Sequence, residues 1–274
     1  MFASTREDGL GIVRIFIIGA IIVAIPIALV TTTVRAAISE QLVYDYSVKH
    51  YDAHEASGIP ESELLYANGE IYRYLTADYL GPLSIEVSYK DGTRGALFNA
   101  RETAHMAEVR DLVRAMFVVQ VAAVAAVLAL AVIMLVLWPP RALAAAVLYG
   151  SVLTLAIIVM GGVLVATGFD AAWSQFHVIA FANDFWELDP DTDHLIQMYP
   201  EAFWERATIG VGGMIVLEAA LLALIAGVYL YISRLQSQPD LPVRPDLTLP
   251  GRIGHARTET PPRLAPPNPR HYVR

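Results

Sequence analysis

Four apolar windows, each long enough to cross a bilayer as a helix, constrain this chain more than any other feature. At 1.5 Å per residue a helix needs roughly 20 apolar residues to span a hydrocarbon core of about 30 Å. Residues 12–34, 115–138, 142–168 and 208–232 meet that length in a chain of 274 residues. Composition agrees: 55% of residues are hydrophobic and 17% are charged, against about 25% charged in a soluble domain. The predicted fold class is an all-α membrane protein of four transmembrane helices, with a small α+β extracytoplasmic cap and a disordered C-terminal tail. No cysteine is present, which excludes disulfides, thiolate metal ligands and a cysteine nucleophile. No phosphate-cradling glycine loop and no basic stripe for nucleic acid occurs, so nucleic acid is not an expected partner.

The windows divide the chain into an N-terminus with the first span (1–35), a cap (36–111), a hairpin of the second and third spans (112–168), a second outside loop (169–207), the fourth span (208–232) and a tail (233–274). The first apolar run exceeds the roughly 7–15 residues of a signal-peptide core, so it is expected to remain as an anchor helix, kinked at Pro26. An even number of spans puts both termini on one side. Basic residues at the span ends are nearly balanced, and the seven arginines after residue 232 decide for cytoplasmic termini. That tail also holds nine of the sixteen prolines and no apolar periodicity, the composition of a disordered segment.

Inside the cap, Pro60 and the acids Glu61 and Glu63 open a helix that continues through Leu75. Leu83–Tyr89, the Asp91-Gly92 turn and Gly95–Phe98 form a hairpin. Asn99, with Glu102 three residues on, forms a capping box for a helix that runs unbroken into the second span. In the second loop, Asp189 and Pro190 are expected to start a short helix through Ile196. Trp173, Trp186 and Trp204 are expected at the membrane interface.

Five of seven histidines, His50, His54, His105, His177 and His194, fall in the outside segments. His105 and His177 stand out because each lies next to a span, where lipid esters sit, and an imidazole can exchange a proton near neutral pH. Competing patterns are weaker. Glu102-x-x-His105 has di-iron spacing but no second copy, and Asp189–Asp193 starts like a calcium loop without its glycine or its closing glutamate. No G-x-S-x-G serine elbow is present; Ser174, three residues before His177, is a minor nucleophile candidate. A zinc site of His105, His177 and Asp184 is a further alternative. Glu218, an acid within the fourth window, must find a partner or stay protonated, since a charge there costs about 3 kcal/mol.

The run Phe176-His177, Phe181, Asn183-Asp184, Trp186, Leu188-Asp189-Pro190, Asp193, Leu195-Ile196, Pro200-Glu201 and Phe203-Trp204 resembles the signature of a bacterial four-span membrane family, the lipoprotein intramolecular transacylases. Glu102-Thr103-Ala104-His105-Met106 with Glu108-Val109 matches the family's E-x-x-H-M-x-[DE]-V pattern, and Gly58-Ile59, Glu63-Leu64 and Tyr74-Leu75 resemble its cap helix. The resemblance covers about residues 10–235. It implies transfer of an acyl chain from the glyceryl ester of a lipoprotein's N-terminal cysteine to that cysteine's α-amino group. It further implies His105 and His177 as the catalytic pair, one taking the amine proton and the other protonating the glyceryl oxygen. Glu102, Asn183, Asp184, Trp186 and Arg35 are expected as supporting or substrate-binding residues, with Asn183, a backbone amide or Arg35 as oxyanion donor. No metal or other cofactor is expected. The implied partners are a diacylated lipoprotein and membrane lipid, in a bacterial plasma membrane, with the oligomeric state left open. A different class remains open: a non-enzymatic membrane protein whose outside segments bind an envelope partner.

Overall fold

The structure is a computed structural model that describes residues 2–77 and 81–237, with residues 2–10 described by backbone alone. In chain order the elements are α1 (Phe2–Ile38), α2 (Gln41–His50), α3 (Ala53–Ser57), α4 (Glu61–Thr76), β1 (Glu86–Ser88), β2 (Arg94–Ala96), α5 (Ala100–Leu137), α6 (Pro140–Thr167), α7 (Phe169–Ala180), α8 (His194–Met198) and α9 (Glu201–Gln236). The four apolar windows lie in α1, α5, α6 and α9, each long and apolar enough to cross a membrane. The fold is therefore that of a multi-pass membrane protein. α1 continues through Pro26 as one helix. α9 extends to Gln236, past the expected start of the tail; the expected disorder from residue 238 onward lies outside the described residues.

α5 positions the site. Its 38 residues make about 57 Å at 1.5 Å each, nearly twice the hydrocarbon thickness. The apolar run begins at residue 115, so residues 100–114 stand outside the span. The helix starts where the capping box places it: Asn99 Oδ1 accepts Glu102 N at 3.0 Å, and Glu102 Oε2 accepts Asn99 N at 2.8 Å.

Both outside segments share one core. Ile59, Leu64 and Ile71 from the first pack with Leu195, Met198 and Phe203 from the second. Asn68, fully buried, joins them: its Nδ2 donates to the Tyr44 carbonyl at 2.7 Å and its Oδ1 accepts Tyr199 Oη at 2.6 Å. The antiparallel hairpin pairs Glu86 with Ala96 and Ser88 with Arg94, shorter than the strands expected at 83–89 and 95–98. Single bonds extend it, Tyr89 N to the Thr93 carbonyl and Leu97 N to the Ile85 carbonyl, each 2.8 Å. The short helix of the second segment also differs from expectation. Asp189 heads a turn, accepting Asp191 N at 2.9 Å, and the helix begins only at His194. Asp193 occupies the cap position, yet its carboxylate accepts Asn99 Nδ2 and Asp189 N, both at 2.8 Å.

Within the membrane layer, α1 packs chiefly on α5 and α6, around Ile21, Ile25, Met134 and Ala146. Side chains facing outward are apolar, such as Ile15, Val118, Val136 and Leu217, as lipid requires. Glu218 finds the partner expected of it, its Oε2 accepting Thr33 Oγ1 across the bundle at 2.8 Å. Gly150 sets the approach of α6 to α1, because a Cβ there would lie 2.7 Å from Ile25 Cδ1 and 3.3 Å from the Ile22 carbonyl oxygen. Small residues at such crossings let helix backbones meet where no hydrophobic effect drives them together. Gly150→Val is expected to cost about 1–3 kcal/mol by overpacking, measured as a lower unfolding temperature of the detergent-solubilised protein.

Candidate active site

His105 stands on the part of α5 above the span. His177 comes from α7, which begins directly after Gly168, whose φ of +157° breaks the chain from α6. α7 leaves Val178 and Ile179 exposed at 60% and 77%, an apolar face that fits a helix lying in the interfacial layer. Its other face turns His177 inward. The two imidazoles meet with ring centroids 6.0 Å apart, and both are buried, at 7% and 6% exposure.

Aromatic rings wall the pair. Trp186 stacks on His177 at 5.0 Å, Trp173 stands edge-on to it at 4.5 Å, and Phe181 contacts both His177 and His105. Trp186, expected both as an interface anchor and as a supporting residue, packs directly on His177. Trp173 and Trp204 stack on each other.

Electrostatics keep both rings uncharged. Burial, helped by the neighbouring His177 ring, pushes His105 down to about 4. Burial also lowers His177, against an opposing hydrogen bond to the Trp173 carbonyl. That bond, 2.8 Å from Nδ1, selects the tautomer. A carbonyl only accepts, so Nδ1 carries the hydrogen and Nε2 the lone pair. His105 Nδ1 is buried without a hydrogen-bond partner among the described residues.

Besides Asp193 on Asn99, two carboxylate contacts hold the two segments in register. Glu102, 1% exposed, uses Oε2 on the Asn99 N–H and Oε1 on Leu195 N at 2.7 Å, tying the start of α5 to α8. Burial pushes its carboxyl up, while the Asn99 and Leu195 N–H donors pull it back. Glu108, one turn beyond His105, accepts Asn183 Nδ2 at 2.5 Å through Oε1. Asn183 in turn takes Trp186 Nε1 on its carbonyl at 3.0 Å, which seats the ring stacked on His177. Glu108 belongs to the sequence motif but drew no role there; its i+3 spacing from His105 was the available signal.

Other expected residues lie elsewhere or act differently. Arg35 donates to Gln120 Oε1 at 2.8 Å and covers the Phe117 ring. Gln120 is fifteen residues along α5 from His105, about 22 Å at 1.5 Å each, so Arg35 is outside the site. Asp184 is exposed and contributes its backbone carbonyl, which accepts Arg101 Nη2 at 2.5 Å. No three His, Asp or Glu side chains gather as a metal-binding group among the described residues, which leaves the zinc alternative without a ligand set. His177 Nδ1 is bonded to Trp173 rather than to Ser174. His50 stacks on Tyr46 in the cap, and His194 bonds Gln197 Oε1 in the second outside segment. Two surface cavities of about 680 and 380 Å³ flank the start of α5; the smaller reaches Asp184 and Phe185, and neither is lined by a histidine. From the segment after α7, Phe181 and Trp186 cover the pair.

Four helices long and apolar enough to cross a membrane, with two buried imidazoles facing each other outside the apolar runs, define a multi-pass integral membrane protein. The family model for the lipoprotein intramolecular transacylase Lit matches residues 19–204, and the chain belongs to that family. It is accordingly an acyltransferase, and the non-enzymatic alternative falls. The crystal structure of the membrane-integral lipoprotein intramolecular transacylase Lit from Bacillus cereus is similar, at 19% identity and a TM-score of 0.69, over 83% of this chain and 100% of that one. Two structures of that protein with one histidine replaced, by arginine and by alanine, have TM-scores of 0.68 and 0.67 at 18% identity, covering 86% and 85% of this chain and all of theirs. At these identities the likeness speaks for the fold. No curated protein sequence matches this chain.

Two outcomes follow from the site's construction. Glu102→Ala strands two backbone N–H groups and is expected to cost about 2–5 kcal/mol, read as lost thermal stability. In a titration of ¹⁵N-labelled histidine, His105 should stay neutral down to about pH 4 and His177 to below the usual midpoint near 6.5; a charged ring at pH 7 in either position contradicts the assignment.

Proposed function

We propose that this transacylase moves an acyl chain from the glyceryl ester to the α-amino group of a diacylated lipoprotein's N-terminal cysteine, with His177 carrying the proton. The cysteine nitrogen attacks the ester carbonyl carbon and gives an N–H proton to His177 Nε2. The carbon–oxygen bond to glycerol then breaks, and the same proton passes to the departing oxygen. An amide and a glyceryl hydroxyl result, with no water consumed. The observation that carries this reading is the His177 tautomer: Nδ1–H is held by the Trp173 carbonyl, so the free lone pair is on Nε2, the form a general base needs.

His105 takes the second role. A ring held neutral to about pH 4 is a poor carrier of a second proton at pH 7, but its N–H is a good donor to a carbonyl oxygen gaining charge. This divides the work differently from one histidine per proton transfer. The π-face of Trp186, stacked at a centroid distance of 5.0 Å, supports the transient His177 imidazolium, within the roughly 6 Å over which such attraction acts. Asn183, whose amide donates to Glu108, serves as a brace, and Arg35 drops out as an oxyanion donor. Substrate entry requires the Phe181 and Trp186 rings to move from over the pair. In the bacterial plasma membrane, with both termini cytoplasmic, the pair lies at the outer leaflet, where a lipoprotein's glyceryl esters are found.

Purified His177→Gln and His105→Gln variants, assayed by mass spectrometry of lipoprotein N-termini, should lose about 10²–10⁴-fold in rate. Folded variants that still form the lyso product at the wild-type rate overturn the scheme. His177 works unprotonated, so its own limb of the kcat profile should lie below pH 6.5, through its lowered value, while the substrate amine, which must be neutral to attack, adds a separate decline below about pH 7.7–8.0.

A further inference from the structure

Glu108 is an acid of the histidine site that the scheme above leaves without chemistry. It follows His105 by three residues on α5, which places the two side chains on one helical face with Cβ atoms about 5–6 Å apart. Its carboxylate oxygens have unlike surroundings. Oε1 accepts Asn183 Nδ2 at 2.5 Å, whereas Oε2 is buried with no hydrogen-bond partner among the described residues. A buried carboxylate oxygen without a donor costs free energy, and in a native site such an atom calls for an explanation, an unseated ligand among them. The same carboxylate reaches His177 through two contacts, Asn183 to Trp186 and Trp186 to the imidazole.

The geometry points to Glu108 as the residue that binds the substrate's α-amino group, with Oε2 accepting one of its N–H bonds. This assignment rests on the transacylase reading and deepens it. Among the groups that such a substrate brings to the pair, the ester, glycerol oxygens and acyl chains offer no hydrogen to a carboxylate. The α-amino group offers two or three, and as an ammonium it adds opposite charge. A second N–H then lies toward the His177 lone pair. Specificity and release share the same cause. A nitrogen that already carries an acyl chain is a neutral amide with one N–H, so Glu108 discriminates against N-acylated lipoproteins and loosens its hold once transfer is complete.

Glu108→Gln separates the two oxygens' roles. Its amide oxygen can still accept Asn183, while its NH₂ replaces the open acceptor by a donor. The probes are two dialkyl-ether lipopeptides, which carry no transferable ester: one with a free N-terminal cysteine amine, the other its desamino analogue. Binding is measured on the full chain in nanodiscs. Wild type should prefer the free amine by about tenfold or more, the worth of a charge-assisted hydrogen bond, and Glu108→Gln should bring the ratio to about one. An unchanged ratio in the variant, or no preference in wild type, overturns the assignment. Should Glu108→Gln fail to fold, Glu108→Asp serves instead: its shorter carboxylate should reduce the ratio, and an undiminished ratio overturns the assignment equally. Failure of the transacylase reading is seen separately, as wild type that leaves diacylated lipoprotein unconverted, because ether-lipopeptide binding needs no turnover.

Discussion

A single buried carboxylate makes the rest of the arrangement coherent. Glu102 spends one oxygen on the backbone at the start of its own helix and the other on Leu195, ninety-three residues away. Because that helix is continuous from the cap to the far side of the membrane, the contact registers the second outside segment against a rod anchored in lipid. Asn99 to Asp193 and Glu108 to Asn183 repeat the link above and below it. Three hydrogen-bonded acids, Glu102 and Glu108 on α5 and Asp193 opposite the start of that helix, thus set where the ring carried by α7 meets the ring carried by α5. Charge-assisted bonds of this kind are short and directional, which suits a site that tolerates little displacement.

The same economy governs the charge state of the pair. Two imidazoles 6.0 Å apart would repel if both were protonated, and burial among aromatic rings removes the water that would solvate them. Both effects favour the neutral forms. Neutrality alone does not distinguish the rings; the Trp173 carbonyl does. One backbone acceptor, placed four residues earlier by the helical repeat, fixes His177 as the tautomer with its lone pair on Nε2.

Much of this was legible in local sequence, and the remainder has a common cause. The spans, the capping box at Asn99 and Glu102, the hairpin turn at Asp91-Gly92 and the prominence of His105 and His177 all follow from patterns within a few residues, or from motif resemblance. The misreadings involve groups whose partners are distant. Asp189 followed by Pro190 has the local form of a helix start, but Asp193 is drawn to Asn99, and the chain turns instead. Trp186, expected both as an interface anchor and as a supporting residue of the site, is placed on His177 by tertiary packing. Arg35 sits near a span end as an oxyanion donor would, yet Gln120 and Phe117 claim its guanidinium well down the helix. Glu108 was visible in the motif, but its open oxygen emerges only once Asn183 has folded onto the other.

The aromatic closure around His177 has a consequence for the fate of the ester. An activated carbonyl at a membrane surface has two available nucleophiles, an amine and bulk water at about 55 M, and capture by the latter would destroy the lipid anchor instead of relocating it. With Trp173, Phe176, Phe181 and Trp186 packed around the base, the reactive space admits a hydrocarbon-tethered group and sheds solvent. On the proposed reaction, a closure of this kind favours transfer over hydrolysis without any residue assigned to prevent the latter.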